Sequence, residues 1–239
     1  MNTVQEKVPS PKQLFDQQPD PISTTAKQVE SYISSLRLRY QGAKEGAERK
    51  RLRREVMSQI ELAGIRSVKN RSQGLEALER IFKLGATPTA PLDGFYRGIL
   101  VCWSINPVVD TVLRSISNAY LPWMGKRFDA ASSSGDNALL ASSQNLTKVL
   151  WPGYKDYQQL EDGNYAGIEF KTFNAPCKLN TEQQCMALDY DSDSNPKLII
   201  RRVLDELVEI VPGAYLGQML VRTGSNYRHS AYFALTDLQ

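Results

Sequence analysis

The chain has 239 residues, 41% apolar and 23% charged, which is typical of a globular protein with a hydrophobic core. No apolar run approaches the roughly 18 residues of a membrane-spanning helix, and the polar, proline-rich N-terminus contains no signal-peptide segment. Residues 1–90 carry 16 Lys and Arg against 10 Asp and Glu, whereas residues 91–239 carry 13 against 16. We therefore expect a cytoplasmic protein made of two units of opposite charge.

The N-terminal part predicts a flexible arm followed by helices. Residues 1–22 contain four prolines among polar residues, which favours an arm without regular structure. Apolar residues then recur at helical spacing, which predicts helices from residue 23 to about Gly42, over 47–63 and over 73–84. Gly64 is expected to end the second helix. We predict a helical unit over residues 23–90.

From residue 92 the pattern becomes strand-like. Strands are predicted at 92–103, 123–129, 146–151, 165–174, 185–191, 214–222 and 227–236, the last two forming a hairpin. The segment 130–143, rich in Ser, Ala, Gly and Asn, is expected to be a loop.

Two helices are predicted between these strands. One covers 107–119, where Pro107 suits the first turn. The other runs from Asn195-Pro196 to residue 211, because apolar residues recur on one helical face. On that helix Arg201 and Arg202 would form surface ion pairs with Asp205 and Glu206, four residues further on.

Three segments place aromatic residues beside glycines in or near predicted strands: 94–98, 123–128 and 215–221. Glycine in a strand permits a close approach of another backbone and the sharp bends of a closed barrel. We therefore predict an α+β protein, with an antiparallel β-barrel and inserted helices over residues 91–239 after the helical unit. Such a barrel can enclose a small apolar molecule.

The order of the motifs resembles that of the small domains named for a G-x-W-x-G motif, over about residues 92–236. The segments that match are Gly94-Phe95-Tyr96-Arg97-Gly98, Trp123-Met124-Gly125-Lys126-Arg127-Phe128, Leu188-Asp189-Tyr190-Asp191 and Tyr232-Phe233-Ala234-Leu235. Tyr96 stands where the motif has its tryptophan, or Phe95 does if the motif is shifted by one residue. Those domains are similar to lipocalin-like (calycin) barrels, so the resemblance implies a barrel that binds a lipid or another apolar molecule.

Aromatic and basic side chains near the strands are the candidate ligand-binding residues. We predict a site formed by Tyr96, Arg97, Trp103, Trp123, Lys126, Arg127, Tyr190, Tyr215 and His229. If Arg97 points into the barrel, its guanidinium needs an internal carboxylate or the carboxylate or phosphate of a ligand; if it points outward, it is simply exposed. Lys126 and Arg127 would attract an anion at the barrel mouth or form a solvated surface pair.

Metal, cofactor and catalytic sites are not predicted. His229 is the only histidine, which excludes multi-histidine metal sites, and there is no G-x-S-x-G nucleophile motif. The acidic residues at 189, 191 and 193 begin like a calcium loop but lack its later glycine and glutamate. Cys177 and Cys185 would pair only in an oxidised chain.

Three functions follow, in order of preference. The first is a binding protein that holds a small hydrophobic or amphipathic, lipid-like ligand in the barrel. The second is a non-catalytic scaffold whose basic run, Arg49-Lys50-Arg51-Leu52-Arg53-Arg54, docks a larger partner or an anionic surface. The third is a cavity enzyme, an isomerase or cyclase that uses Asp189, Asp191 or His229.

Overall fold

The computed structural model describes residues 25–104, 123–143, 154–197 and 200–237. Within these ranges, three helices precede nine strands. The helices are α1 (Ala26–Gly42), α2 (Ala47–Lys69) and α3 (Arg71–Leu84). The strands are β1 (Gly94–Trp103), β2 (Trp123–Asp129), β3 (Ser134–Leu139), β4 (Gln158–Gln159), β5 (Tyr165–Pro176), β6 (Gln184–Asp189), β7 (Val203–Val211), β8 (Ala214–Thr223) and β9 (Asn226–Thr236).

The strands form a closed antiparallel barrel. Neighbouring strands follow the order β3-β2-β1-β9-β8-β7-β6-β5, and β3 also pairs with β5, which closes the ring. The short β4 pairs with β5. Closure gives most backbone groups of the sheet a partner and leaves no long free edge. The predicted α+β fold, an antiparallel barrel preceded by helices, is confirmed.

The helices begin and end where local chemistry permits. Thr25 caps α1 in a capping box with Gln28. The predicted end of the second helix at Gly64 is wrong, because α2 continues to Lys69. Gly64 instead allows α2 to lie close to the barrel: a Cβ at this position would come within 2.7 Å of the carbonyl oxygen of Val101 in β1.

Two hydrophobic clusters hold the molecule together. The first lies between the helices and the outer face of the barrel, where side chains such as Ile33, Ile60 and Ile81 join Val208 and Leu216. The second lies inside the barrel and is rich in aromatic residues: Leu92, Phe128, Ile168, Phe170, Leu188, Tyr190, Val203, Leu207, Tyr215, Phe233 and Leu235. The helices and the barrel therefore share a core; the division into an arm (1–22), a helical unit (23–90) and a barrel unit (91–239) stays a prediction.

Two segments differ from the sequence prediction. Residues 203–211 form strand β7 rather than the end of a helix, and residues 134–139 form β3 rather than part of a loop. Every residue of β7 is buried, because helices cover its outer face and the barrel interior covers the other. Without an exposed face, β7 has no alternating pattern that would reveal a strand. The predicted helix at 107–119 and strand at 146–151 lie outside the described residues.

Candidate functional site

A polar cluster lies inside the barrel, surrounded by the aromatic core. It consists of Trp123 and Lys126 from β2, Asn137 from β3, Tyr190 just after β6, and Asp205 from β7. Lys126 is 3% exposed, and Tyr190 and Asp205 are each 4% exposed. Charged side chains are rarely buried to this degree unless they are paired.

The ammonium of Lys126 uses all of its donors within this cluster. Its Nζ lies 2.9 Å from Asp205 Oδ2 and donates to Asn137 Oδ1 at 3.1 Å and to the Tyr190 hydroxyl. An ammonium group has three N–H donors and no acceptor. Lys126 therefore has no further hydrogen bond to offer to a ligand.

The other polar atoms are satisfied with one exception. The Tyr190 hydroxyl donates to Asp205 Oδ2 at 3.0 Å, Trp123 Nε1 donates to Asn137 Oδ1 at 3.0 Å, and Asn137 Nδ2 donates to the Ile168 carbonyl at 3.0 Å. Asp205 Oδ1 is buried and, within the described chain, accepts no hydrogen bond. This cluster therefore contains a buried carboxylate oxygen with free acceptor capacity.

The surroundings of Lys126 are aromatic. Its Nζ lies 5.1 to 5.6 Å from the ring centroids of Trp123, Phe170, Tyr190 and Phe233, within the range of cation–π attraction. Burial lowers the pKa of Lys126, and the neighbouring Asp205 opposes that change. Burial also raises the pKa of Tyr190 well above its usual value, with a further contribution from the charge of Asp205. Tyr190 is therefore a neutral hydrogen-bond donor.

Five of the predicted site residues share the barrel interior. Trp123, Lys126 and Tyr190 belong to the polar cluster, and Tyr96 and Tyr215 lie in the surrounding apolar core. The Tyr96 ring contacts Phe128 and Tyr215 edge-on, with centroid distances of 5.4 and 5.6 Å. The expectation of a Lys126 at the mouth or on the surface is wrong, because this side chain is enclosed.

The other predicted site residues lie elsewhere. Arg97 is exposed, so the outward alternative applies. Arg127 pairs with Asp136 at 2.6 Å and borders a surface groove of about 490 Å³ together with Phe95 and Glu169. Trp103 and His229 are half-buried at the end of β1 and in β9. Their roles as ligand-binding residues stay predictions.

Asp205 and Asn137 were missed by the sequence prediction. Asp205 was assigned to a surface ion pair on a helix, and Asn137 to a loop. Arg201 in fact contacts Asp191 and Asp193, both at 2.9 Å. The sequence does contain one signal for Asp205: it stands in a nine-residue segment, 203–211, of which six residues are Val, Leu or Ile, a composition typical of a buried strand.

Three arginines of the basic run in α2 form ion pairs. Arg53 contacts Asp237 at 2.6 Å, Arg49 contacts Glu45 at 3.5 Å, and Arg51 contacts Glu55 at 3.6 Å. These pairs weaken the positive field available to a partner. Docking of a partner through this run stays a prediction.

The environment of His229 leads us to expect a loss of stability in mild acid. Its Nδ1 lies 2.5 Å from Ser104 Oγ, and burial lowers its pKa from 6.5 to about 4. Between pH 6.5 and pH 4 the unfolded chain binds a proton at this histidine and the folded chain does not. The stability that neutral His229 contributes is therefore complete above pH 6.5 and is lost as the pH falls towards 4.

The free energy of unfolding should fall when the pH is lowered from 7 to 5. We expect this fall to be smaller in His229→Gln than in the natural chain, by up to about 2 kcal/mol. Urea denaturation of both proteins at the two pH values measures this difference. Equal losses would show that His229 binds its proton in the folded chain.

No protein-family model matches the chain, and no curated protein matches it. The chain is similar to the crystal structure of a protein from Thermomonospora curvata, with 17% sequence identity and a TM-score of 0.42. The match covers 74% of this chain and 99% of that chain. The resemblance to G-x-W-x-G domains stays a prediction. None of the three described helices combines the length and the hydropathy that a membrane-spanning helix requires.

Proposed function

We propose that the barrel binds a small, mainly apolar ligand whose polar group donates a hydrogen bond to Asp205. The observation that carries this proposal is the free Oδ1 of Asp205 in an otherwise satisfied polar cluster. The ligand's apolar part would pack against the aromatic side chains around that cluster, which supplies affinity.

The cost of the cluster supports a functional role. Removing two charges from water is expensive, and a well-packed apolar replacement is often as stable or more stable. A barrel that served only as a scaffold could fill this space with apolar side chains like those that surround the cluster. A buried ion pair with an unused acceptor is the kind of site that binds or transforms a ligand.

The free acceptor also selects the ligand's chemistry. Asp205 Oδ1 can accept from a hydroxyl or an N–H group, whereas a ligand carboxylate would be repelled by the charge of Asp205. Lys126 offers such a carboxylate no hydrogen bond, because its three donors are already used. We therefore infer a neutral or cationic ligand, such as an apolar alcohol or amine, rather than a fatty acid.

The proposed entry is the end of the barrel where β2 begins. Apolar side chains are partly exposed there: Trp123, Met219 and Val221. Trp123 donates to Asn137 in the polar cluster, and Met219 is the cross-strand neighbour of Asp205. A ligand entering past these side chains would meet Asp205 within the first layers of the barrel.

Matched probes test this proposal. We expect 1-decanol to bind the purified chain at least about tenfold more tightly than decanoate at pH 7.5, since a hydrogen bond to a charged acceptor contributes about 1.5–3 kcal/mol. Isothermal titration calorimetry gives both affinities. Equal affinities, tighter binding of decanoate, or no binding of either probe would contradict the proposal.

The variant Asp205→Asn should abolish the preference for the alcohol, because an amide can place a donor where Oδ1 accepts. The ratio of alcohol to carboxylate affinity is expected to fall at least about tenfold. Asp136→Asn makes the same substitution at an aspartate on the outer face and serves as the control. Circular dichroism of each variant establishes that it is folded, and an unchanged ratio in folded Asp205→Asn excludes Asp205 as the anchor.

A further inference from the structure

A second buried cluster lies on the outer face of the barrel and does not involve the proposed ligand site. It consists of Cys177, which directly follows β5, Cys185 in β6 and Glu206 in β7. The two cysteines are 0% exposed, and Glu206 is 1% exposed. Both cysteines are free thiols.

The three ligand atoms are close enough to bind one ion. The two Sγ atoms and a carboxylate oxygen of Glu206 all lie within 4.8 Å of one another. With Zn–S bonds of about 2.3 Å and a tetrahedral angle, two sulfur ligands of zinc lie about 3.8 Å apart. Small side-chain movements are therefore enough to bring these atoms to coordination distance.

Glu206 is already oriented for such a role. Its Oε1 accepts from the Lys178 backbone N–H at 2.5 Å, and its Oε2 accepts from Gln218 Nε2 at 2.6 Å. Carboxylates that bind metals are usually held by hydrogen bonds of this kind. None of the ion pairs among the described residues includes Glu206. Glu206 is therefore buried without a salt bridge, which is costly for a charged group, and the charge of Lys178 acts on it from beyond ion-pair distance.

We propose that Cys177, Cys185 and Glu206 bind a divalent, thiol-preferring cation, with Zn²⁺ as the best match. Thiolate sulfur together with a carboxylate oxygen is a ligand set that zinc accepts. Binding would release the two thiol protons to solvent and place a +2 ion among three negative ligands. The fourth position would be taken by water or by the Ala175 carbonyl oxygen, which lies 3.6 Å from Cys185 Sγ.

The position of the cluster indicates a structural role for the metal. The ion would join the β5–β6 hairpin to β7. The same hairpin already contacts the end of α3, since Gln183 Nε2 donates to the carbonyl oxygens of Phe82 at 2.8 Å and Gly85 at 3.2 Å. Metal binding would thus strengthen the attachment of the helices to the barrel, independently of any ligand inside it.

Titration of the full chain with cobalt and zinc tests this proposal. The protein is kept reduced throughout. We expect one equivalent of Co²⁺ to produce the near-ultraviolet charge-transfer absorption of thiolate–cobalt bonds, and Zn²⁺ to displace it. Cys177→Ser and Cys185→Ser should each abolish the band, and Glu206→Gln should weaken Zn²⁺ affinity by about tenfold or more. Cys102→Ser removes the other buried cysteine and should change nothing.

The outcomes separate the alternatives. No cobalt absorption in the natural chain overturns the proposal, and this result does not depend on whether any variant folds. A band that persists in Cys177→Ser or Cys185→Ser overturns it as well. Thiol counting in protein purified without reductant detects a Cys177–Cys185 disulfide. If such a disulfide re-forms when the reduced protein is kept with Zn²⁺, the proposal is overturned too.

Discussion

Replacing Lys126 with methionine is expected to lower the free energy of unfolding by about 3–5 kcal/mol, because it leaves a buried carboxylate without its cation. Lys126 lies 2.9 Å from Asp205 Oδ2, and both side chains are almost fully enclosed. Methionine fills a similar volume, so the loss reports the missing charge rather than a cavity. Urea denaturation followed by circular dichroism measures the change.

Two further variants separate charge from packing. Arg127→Met alters the next residue, whose partner Asp136 lies on the outer face, and should cost about 1 kcal/mol or less. The double variant Lys126→Met/Asp205→Leu removes both buried charges and should recover most of the stability lost by the single variant. If Lys126→Met costs as little as Arg127→Met, the buried pair is not the ionic contact that we describe.

Gly125→Ala is expected to destabilise the protein by about 3 kcal/mol or more, or to prevent folding. Gly125 has a φ of 147°, which side-chain-bearing residues rarely adopt. A Cβ there would overlap the carbonyl oxygen of Tyr96 and lie 2.7 Å from the backbone nitrogen of Gly98. Both atoms belong to β1, so the clash would separate two paired strands of the barrel. Thermal and urea denaturation measure the loss.

Gly163→Ala isolates the contribution of the backbone angle. Gly163 has a φ of 82°, but a Cβ there would meet no atom within 4 Å. We expect this variant to lose about 1–2 kcal/mol. Equal losses for the two glycines would mean that β1 and β2 do not approach each other as closely as described.

The barrel can be predicted from the sequence because the residues next to its strand glycines indicate what those glycines do. Gly125 stands in the Trp-x-Gly-Lys segment, where glycine in a strand indicates a close backbone approach. The structure places it against β1. The final hairpin is also local, since Gly224 and Ser225 connect β8 directly to β9. Such features depend on residues close together in the chain, which a single sequence contains.

Asn137 and Asp205 were missed, and the cluster as a whole was not recognised, because two non-local effects hide it. A register shift between Trp123 and Gly125 breaks the alternation of β2, so Trp123 and Lys126 both contact Asn137 although they are three residues apart. Burial of both faces removes the alternation of β7 and hides Asp205. Apolar residues at helical spacing after Asn195-Pro196 then favoured a helix where β7 stands.

Native mass spectrometry of the full chain, isolated from its own cells, tests the ligand-binding account most directly. The account predicts a folded protein carrying a small molecule that organic extraction releases, a mainly apolar compound with a hydroxyl or N–H group. The folded double variant Lys126→Met/Asp205→Leu should lack this molecule. A natural chain with the mass of the polypeptide alone, or one that releases a fatty acid, would contradict the account.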